Sequence, residues 1–316
     1  MFDFHIHIAR LPHPKLLTQL LLDRNFDFVA IACEPWEWRE VAQLKKELSS
    51  GIKPVKVAYG IHPMIAMQAS SEMLTKLRIL IEEDKRAMVG ETGIDKRYPG
   101  YEDGTQDRVF LEQAKLAVEF GRDLQIHCVG DYMRVLKLLD QAGFPQESIR
   151  PIFHRFGGDL NVVKKAIPYG ALFSLHADSF RKKSTVAAIP HIPQERVFFE
   201  TDADETFMRD SPNSECATRH SPKENPYINS KQYESSLWED DYLGMTEPKG
   251  RGLKPHPVTA TATTDPGTEA GMTRKNEAGM TNENATGMTC CTPEEILAEL
   301  ESRIESVRAA YAKCRE

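Results

Sequence analysis

Met88-Val89-Gly90-Glu91-Thr92-Gly93-Ile94-Asp95 is a short β-rich run that closes on carboxylates. Segments with helical spacing flank it: apolar residues recur every three to four positions over residues 72–83 before it and 106–120 after it. A strand between two helices is the repeating unit of a parallel sheet. Working outward in both directions, the same alternation returns. Further strand-like runs lie at residues 2–8, 28–33, 55–61, 124–128, 151–156, 171–175 and 197–201, with another helical pattern at 132–141. Eight such repeats predict a TIM-type (β/α)8 barrel rather than an open sheet.

The text changes after residue 204. Residues 205–291 are rich in Thr, Ser, Asn, Pro and Gly and poor in aliphatics. They contain a short repeat at an eight-residue period, Glu269-Ala-Gly-Met-Thr273, Glu277-Ala-Gly-Met-Thr281 and Ala285-Thr-Gly-Met-Thr289. So few apolar side chains predict a disordered linker over 250–291. Tyr227, Tyr233, Trp238 and Tyr242 lie earlier in this stretch, as rim packing or as stacking surfaces for bases. Thr292-Pro293-Glu294-Glu295 then reads as a capping box, followed by the apolar stripe of Ile296, Leu297, Leu300, Ile304, Val307 and Tyr311. This helix fits the eighth of the barrel. The expected organisation is therefore a hydrolase barrel over 1–204 and 292–316, with 205–291 as an insertion in the last βα loop. Such loops lie at the face where barrel active sites are built.

Composition excludes several classes. The 316 residues carry 47 acidic and 40 basic side chains, for a net charge of −7. No basic excess marks a nucleic-acid-binding surface. No apolar run reaches the length of a membrane span, and the first residues lack the pattern of a signal peptide. The six cysteines form no CxxC pair, which reads as reduced, cytoplasmic usage.

The chemistry gathers at strand ends. In the first run strand alternation puts Asp3, His5 and His7 on one face, and Phe4, Ile6 and Ile8 on the other, against helices. The other runs end in His62-Pro63, in Glu91 to Asp95, in His127, in His154-Arg155 and in Glu200-Thr201-Asp202. Buried imidazoles and carboxylates must be paired or bound to metal, and this donor set suits zinc, manganese or a similar ion.

These residues give a specific resemblance. His5-x-His7, Gly60-Ile-His-Pro63, Gly90-Glu-Thr-Gly-Ile-Asp95, Ile126-His127, His154 with Phe156, and Glu200-Thr-Asp202 resemble, in order, the motifs of the TatD family of metal-dependent hydrolases, a branch of the amidohydrolase-like barrels. The resemblance implies two divalent ions (Zn, Mn or Mg). His5, His7 and Asp202 would hold the first, His127 and His154 the second, and Glu91 would bridge them. Two such ions acidify a water and clamp a phosphoryl or acyl oxygen. Asp202 is the natural acceptor of the water proton. His62 and Arg155 are expected to contact substrate.

The family's usual activity, cleavage of DNA as a nuclease or 3′–5′ exonuclease, is the leading expectation. DNA or another phosphodiester would be the substrate, with no membrane partner and the oligomeric state left open. The same metals would equally serve a deacylase or amidase, such as one removing D-amino acids from tRNA, and a barrel with so long an insertion would also suit an interaction protein. The chain departs from the family pattern at Met64, at Cys128-Val-Gly-Asp131 and at Asp204, where members often carry His, a nearby Arg and Pro. Those changes touch the pocket rather than the metal ligands. A missing arginine and an added Asp204 disfavour a polyanion, with Arg155 as a partial replacement.

Overall fold

The computed structural model describes residues 1–48, 54–208 and 291–315. Among them eight parallel strands follow one another in a single sheet in chain order: β1 (Phe2–Ile6), β2 (Asp27–Ala32), β3 (Lys56–Tyr59), β4 (Met88–Asp95), β5 (Leu124–Val129), β6 (Pro151–Phe153), β7 (Leu172–Leu175) and β8 (Val197–Phe199). Helices alternate with them: α1 (Pro14–Asp23), α2 (Pro35–Leu48), α3 (Ser71–Glu83), α4 (Thr105–Phe120), α5 (Tyr132–Ala142), α6 (Leu160–Ala166), α7 (Lys183–Ala188) and α8 (Pro293–Arg315). The sheet closes just past β8, where Asp202 N–H donates to His5 O at 3.0 Å and His7 N–H to Ala203 O at 2.9 Å. This is the TIM-type (β/α)8 barrel expected from the alternation.

The strands separate two apolar layers. The larger lies between strands and helices. The smaller is the floor inside the barrel, made of Phe4, Val29, Ile31, Ala58, Ile152 and Leu172, with Phe2, Met88 and Phe198 against it. Here the reading of β1 needs correction. Phe4 belongs to the interior floor, whereas Ile6 and Ile8 face the helices. Asp3 does not join the two histidines. Its carboxylate accepts from Thr201 Oγ1 at 2.5 Å and Thr201 N at 3.0 Å, which ties β1 to the end of β8. The cause is a bulge: Asp3 pairs with Phe28 and Ile6 with Ala30, three steps against two. One extra residue inverts the side-chain alternation above it. β4 does the same, pairing Val89 with Leu124 and Thr92 with Ile126. Met88 thus packs in the floor, and Glu91, three residues on, meets the histidines of the mouth.

Above the bulge β4 runs against β5 so closely that a Cβ on Gly93 would lie 1.8 Å from the His127 carbonyl oxygen. Two buried glutamines of α4 hold the strand ends from outside. Gln113 accepts from Ile61 N at 2.7 Å and donates to Thr92 Oγ1 at 2.6 Å, and Gln106 accepts from Asp95 N at 2.7 Å.

α8 begins with the capping box, Glu295 N–H donating to Thr292 Oγ1 at 3.2 Å and Thr292 N–H to Glu295 Oε2 at 2.7 Å. Its apolar stripe is buried, and Arg303 donates to Phe207 O at 2.8 Å. Phe207, Met208 and Cys291 are buried too, so barrel packing extends beyond residue 204 at one end and before 292 at the other. Residues 209–290, with the expected linker, its repeats and the four aromatics, lie outside the described residues. Among the described residues no helix is long and apolar enough to cross a membrane.

Candidate metal centre

The mouth of the barrel brings together all six expected ligands. Four donors, His5 Nε2, His7 Nε2, Glu91 Oε2 and Asp202 Oδ1, form one group. Each imidazole nitrogen lies 3.4–3.6 Å from each carboxylate oxygen. Those gaps are too long for strong hydrogen bonds. They equal the edges of a tetrahedron of ligands about 2.1 Å from a central ion, about 3.4 Å. Both nitrogens of the fully buried His5 are without a hydrogen bond. A buried polar atom left unmatched is costly, and a cation among these four donors would give His5 Nε2 its partner.

The second group gathers around the other Glu91 oxygen. Oε1 lies 2.6 Å from His127 Nδ1, 2.8 Å from His154 Nε2 and 3.5 Å from His62 Nε2. The first two distances are charge-assisted hydrogen bonds. One carboxylate therefore faces β1 and β8 with one oxygen and β5 and β6 with the other.

Three histidines are backed by carboxylates. His127 Nε2 meets Asp95 Oδ2 at 2.9 Å, His154 Nδ1 meets Glu200 Oε1 at 3.2 Å, and His7 Nδ1 faces Glu37 Oε1 at 3.6 Å. A carboxylate hydrogen-bonded as Asp95 is fixes the tautomer and ring orientation of an imidazole, whereas Glu200 and Glu37 lie beside His154 and His7 as charges without a hydrogen bond. His62 differs. Its Nδ1 accepts from Met64 N–H at 3.0 Å, which leaves the ring proton on Nε2, the nitrogen that faces Glu91. His62 caps its turn and points a donor, rather than a lone pair, into the centre.

The electrostatics follow from this crowding. Burial opposes ionisation of Glu91, yet His154, His62 and His5 hold it well below the usual carboxylate range. Asp202, also buried, is held well below its ordinary value by His7, His154 and Arg155, among others. Burial disfavours charge on His154, but Glu91 and Glu200 lift it to about 10. His127 is raised against its burial by Asp95 and Glu91. Burial pushes His62 down to about 4, so the ring is neutral at pH 7. Glu37 falls to about 2, burial being outweighed by His7 and Arg10.

Arg155 lies at the mouth, with Nη1 2.6 Å from Asp202 Oδ2 and Nη2 bonded to Asp178. Its backbone has a φ of +41°, and its N–H donates to Glu200 Oε1 at 2.5 Å. Sequence reasoning missed the backing roles of Asp95, Glu200 and Glu37, and it missed Arg97, which donates to Asp95 Oδ2 at 2.6 Å. Asp95 was within reach of strand alternation, four residues past Glu91 in β4. Glu37 gave no signal, because its helix meets His7 only in three dimensions.

Fold and donor set define a (β/α)8 barrel with a histidine–carboxylate cluster of metal-binding type at its mouth. The family model described as TatD related DNase matches residues 2–234, and the chain belongs to that family. Among similar proteins, the 3′-5′ ssDNA/RNA exonuclease TatD of Cronobacter turicensis is 27% identical over 172 residues, 54% of this chain and 65% of that protein. An uncharacterized metal-dependent hydrolase TatD of Mycobacterium tuberculosis is 32% identical over 156 residues, 47% of this chain and 58% of that protein. The chain thus spans less than two thirds of the length of these curated relatives. The fold is shared with a TatD homologue from Escherichia coli, at a TM-score of 0.55 and 22% identity over 64% of this chain and 79% of that one. It is shared also with a TatD family hydrolase from Entamoeba histolytica, at a TM-score of 0.56 and 15% identity over 71% of this chain and 80% of that one.

Proposed function

We propose that this chain is a metal-dependent phosphodiesterase that cleaves DNA strands, in the manner of a 3′–5′ exonuclease. The observation that carries the reading is Glu91, whose two oxygens face two separate histidine groups. His5, His7 and Asp202 would hold one divalent ion, His127 and His154 a second, and Glu91 would bridge the pair. Bound there, zinc, manganese or magnesium would supply Lewis acidity toward a phosphoryl oxygen and a water acidic enough to attack near neutral pH.

The side chains do the rest. Asp202 is held ionised and accepts the proton of the attacking water on Oδ2, the oxygen turned toward Arg155. His62, neutral and with its proton on Nε2, donates to a non-bridging oxygen of the phosphate. Arg155 sits beside the same carboxylate and contacts the anionic substrate. Asp95 orients His127 through its hydrogen bond, and Glu200 and Glu37 set negative charge beside His154 and His7. Similarity to proteins named as exonucleases of single-stranded DNA and RNA favours a nucleic-acid strand over an acylated substrate. The reduced cysteine usage suits a cytoplasmic enzyme.

Metal analysis coupled to hydrolysis tests the reading, with single-stranded DNA and an acylated aminoacyl ester as the two substrates and Glu91→Gln as the control. The wild type is expected to carry two ions and to cleave DNA. Glu91→Gln is expected to lose at least one ion and about 1000-fold in rate. An unchanged metal count and rate in that variant would refute the bridging role, and turnover confined to the ester would replace the phosphodiesterase by a deacylase.

A further inference from the structure

A line of polar side chains crosses the mouth, hydrogen-bonded toward both ends and open around His5 Nε2, and it begins and ends in a guanidinium. Arg97 Nη2 meets Asp95 Oδ2 at 2.6 Å, and the same oxygen meets His127 Nε2 at 2.9 Å. His127 Nδ1 meets Glu91 Oε1 at 2.6 Å, and Glu91 Oε2 lies 3.4 Å from His5 Nε2. His5 Nε2 lies 3.5 Å from Asp202 Oδ1, and Asp202 Oδ2 meets Arg155 Nη1 at 2.6 Å. The middle of the line is buried. Its ends are not: the side chains of Arg97 and Arg155 are 61% and 39% exposed.

Both ends keep donors to spare. Arg97 spends Nε and Nη2 on Asp95, and Nη1 has no hydrogen-bond partner among the described residues. Arg155 spends Nη1 and Nη2 on Asp202 and Asp178, leaving Nε. A guanidinium has five N–H donors in a planar fork that matches phosphate oxygens. The two are also near enough that the charge of Arg155 acts on Arg97. Neither sits where the family's arginine was expected, after His127; they follow β4 and β6 instead.

We propose that Arg97 and Arg155 form a paired subsite for the phosphates that flank the reacting one, so that the centre selects a substrate with several phosphates in series over an isolated phosphodiester. The inference rests on the phosphodiesterase reading and assigns the residues that would select its strand. An anionic strand reacting at the buried middle would meet Arg97 on the Asp95 side and Arg155 on the Asp202 side. Moving the Arg155 donor from Asp202 to a phosphate also frees Oδ2 to take the water proton.

The test compares the trinucleotide pTpTpT with bis(4-nitrophenyl) phosphate on the full chain, for the wild type, R97Q and R97K. R97Q is expected to raise KM for pTpTpT about tenfold, to lower the pTpTpT-to-diester ratio of kcat/KM, and to lower the salt slope of pTpTpT binding by about 0.7. R97K is expected to restore the salt slope, because it keeps the charge. Parallel loss on both substrates with an unchanged salt slope would overturn the proposal and leave Arg97 as a prop for Asp95. If the wild type cleaves neither compound, the phosphodiesterase reading fails on its own. Calorimetric binding of pTpTpT to wild type and R97Q then judges the pair separately: weaker binding by R97Q supports it, and equal binding overturns it.

Discussion

The half of the centre built on β1 and β8 holds its donors 3.4–3.6 Å apart, whereas the half built on β5 and β6 is drawn to 2.6 and 2.8 Å around one Glu91 oxygen. The difference lies in what keeps like and unlike charges in place. His5 and His7 flank the barrel's closure, where main-chain bonds to Asp202 and Ala203 fix their spacing. His127 and His154 approach Glu91 through shared protons. The first half is spaced for a cation. The second is held together by protons where the proposed ion would sit.

The sharpest way to break this contrast is His154→Gln. It is expected to reduce bound metal from two ions per chain to one and hydrolysis by about 1000-fold, read by elemental analysis and turnover. Loss of both ions together would mean that the halves are not separable. Next comes pH. His154 is lifted to about 10 and so carries a proton near neutrality, His127 is raised as well, and an ion enters only as such protons leave. Affinity at the second half should therefore climb with pH through the neutral range, about tenfold per unit for each proton displaced, and level off above the raised values. The first half displaces a proton from the raised His7, against two raised histidines in the second, and its slope should be shallower. Competition titrations with a metal indicator at pH 6, 7 and 8 measure both, and equal slopes would remove the distinction. The smallest expected effect is at the backing carboxylates. Asp95→Asn should weaken the second ion about tenfold, and Glu37→Gln the first by a similar factor. If either variant weakens both ions equally in the same titration, its carboxylate does not belong to one half.

Much of this was legible in the chain. The order of strands and helices follows from apolar periodicity, and β4, β5 and β7 lie within a residue or so of the expected ends. The six expected ligands, which the structure gathers at the mouth, could be picked out because each is a buried-type imidazole or carboxylate set in or just after an apolar run. Alternation failed at β1, where a single extra residue carries Phe4 inward and Asp3 to Thr201. A bulge changes one backbone pairing and leaves no mark in residue type, so no pattern of period two can announce it. Glu37 was hidden for a different reason. Its contact with His7 joins β1 to α2, and nothing in the order of residues ranks it above the other acids of that helix.

The two bulges have a consequence for how such a barrel can change over generations. Each acts as a frame shift within a strand: below it the chain spells the floor, above it the chain spells the chemistry. Floor and mouth are thus separately editable. Substitutions in the floor are constrained by volume alone, while deleting a single codon at either bulge would rotate the ligands above it out of the mouth and leave the lower sheet in register. Inheritance can switch the centre off in one step, and restoring one residue can return it.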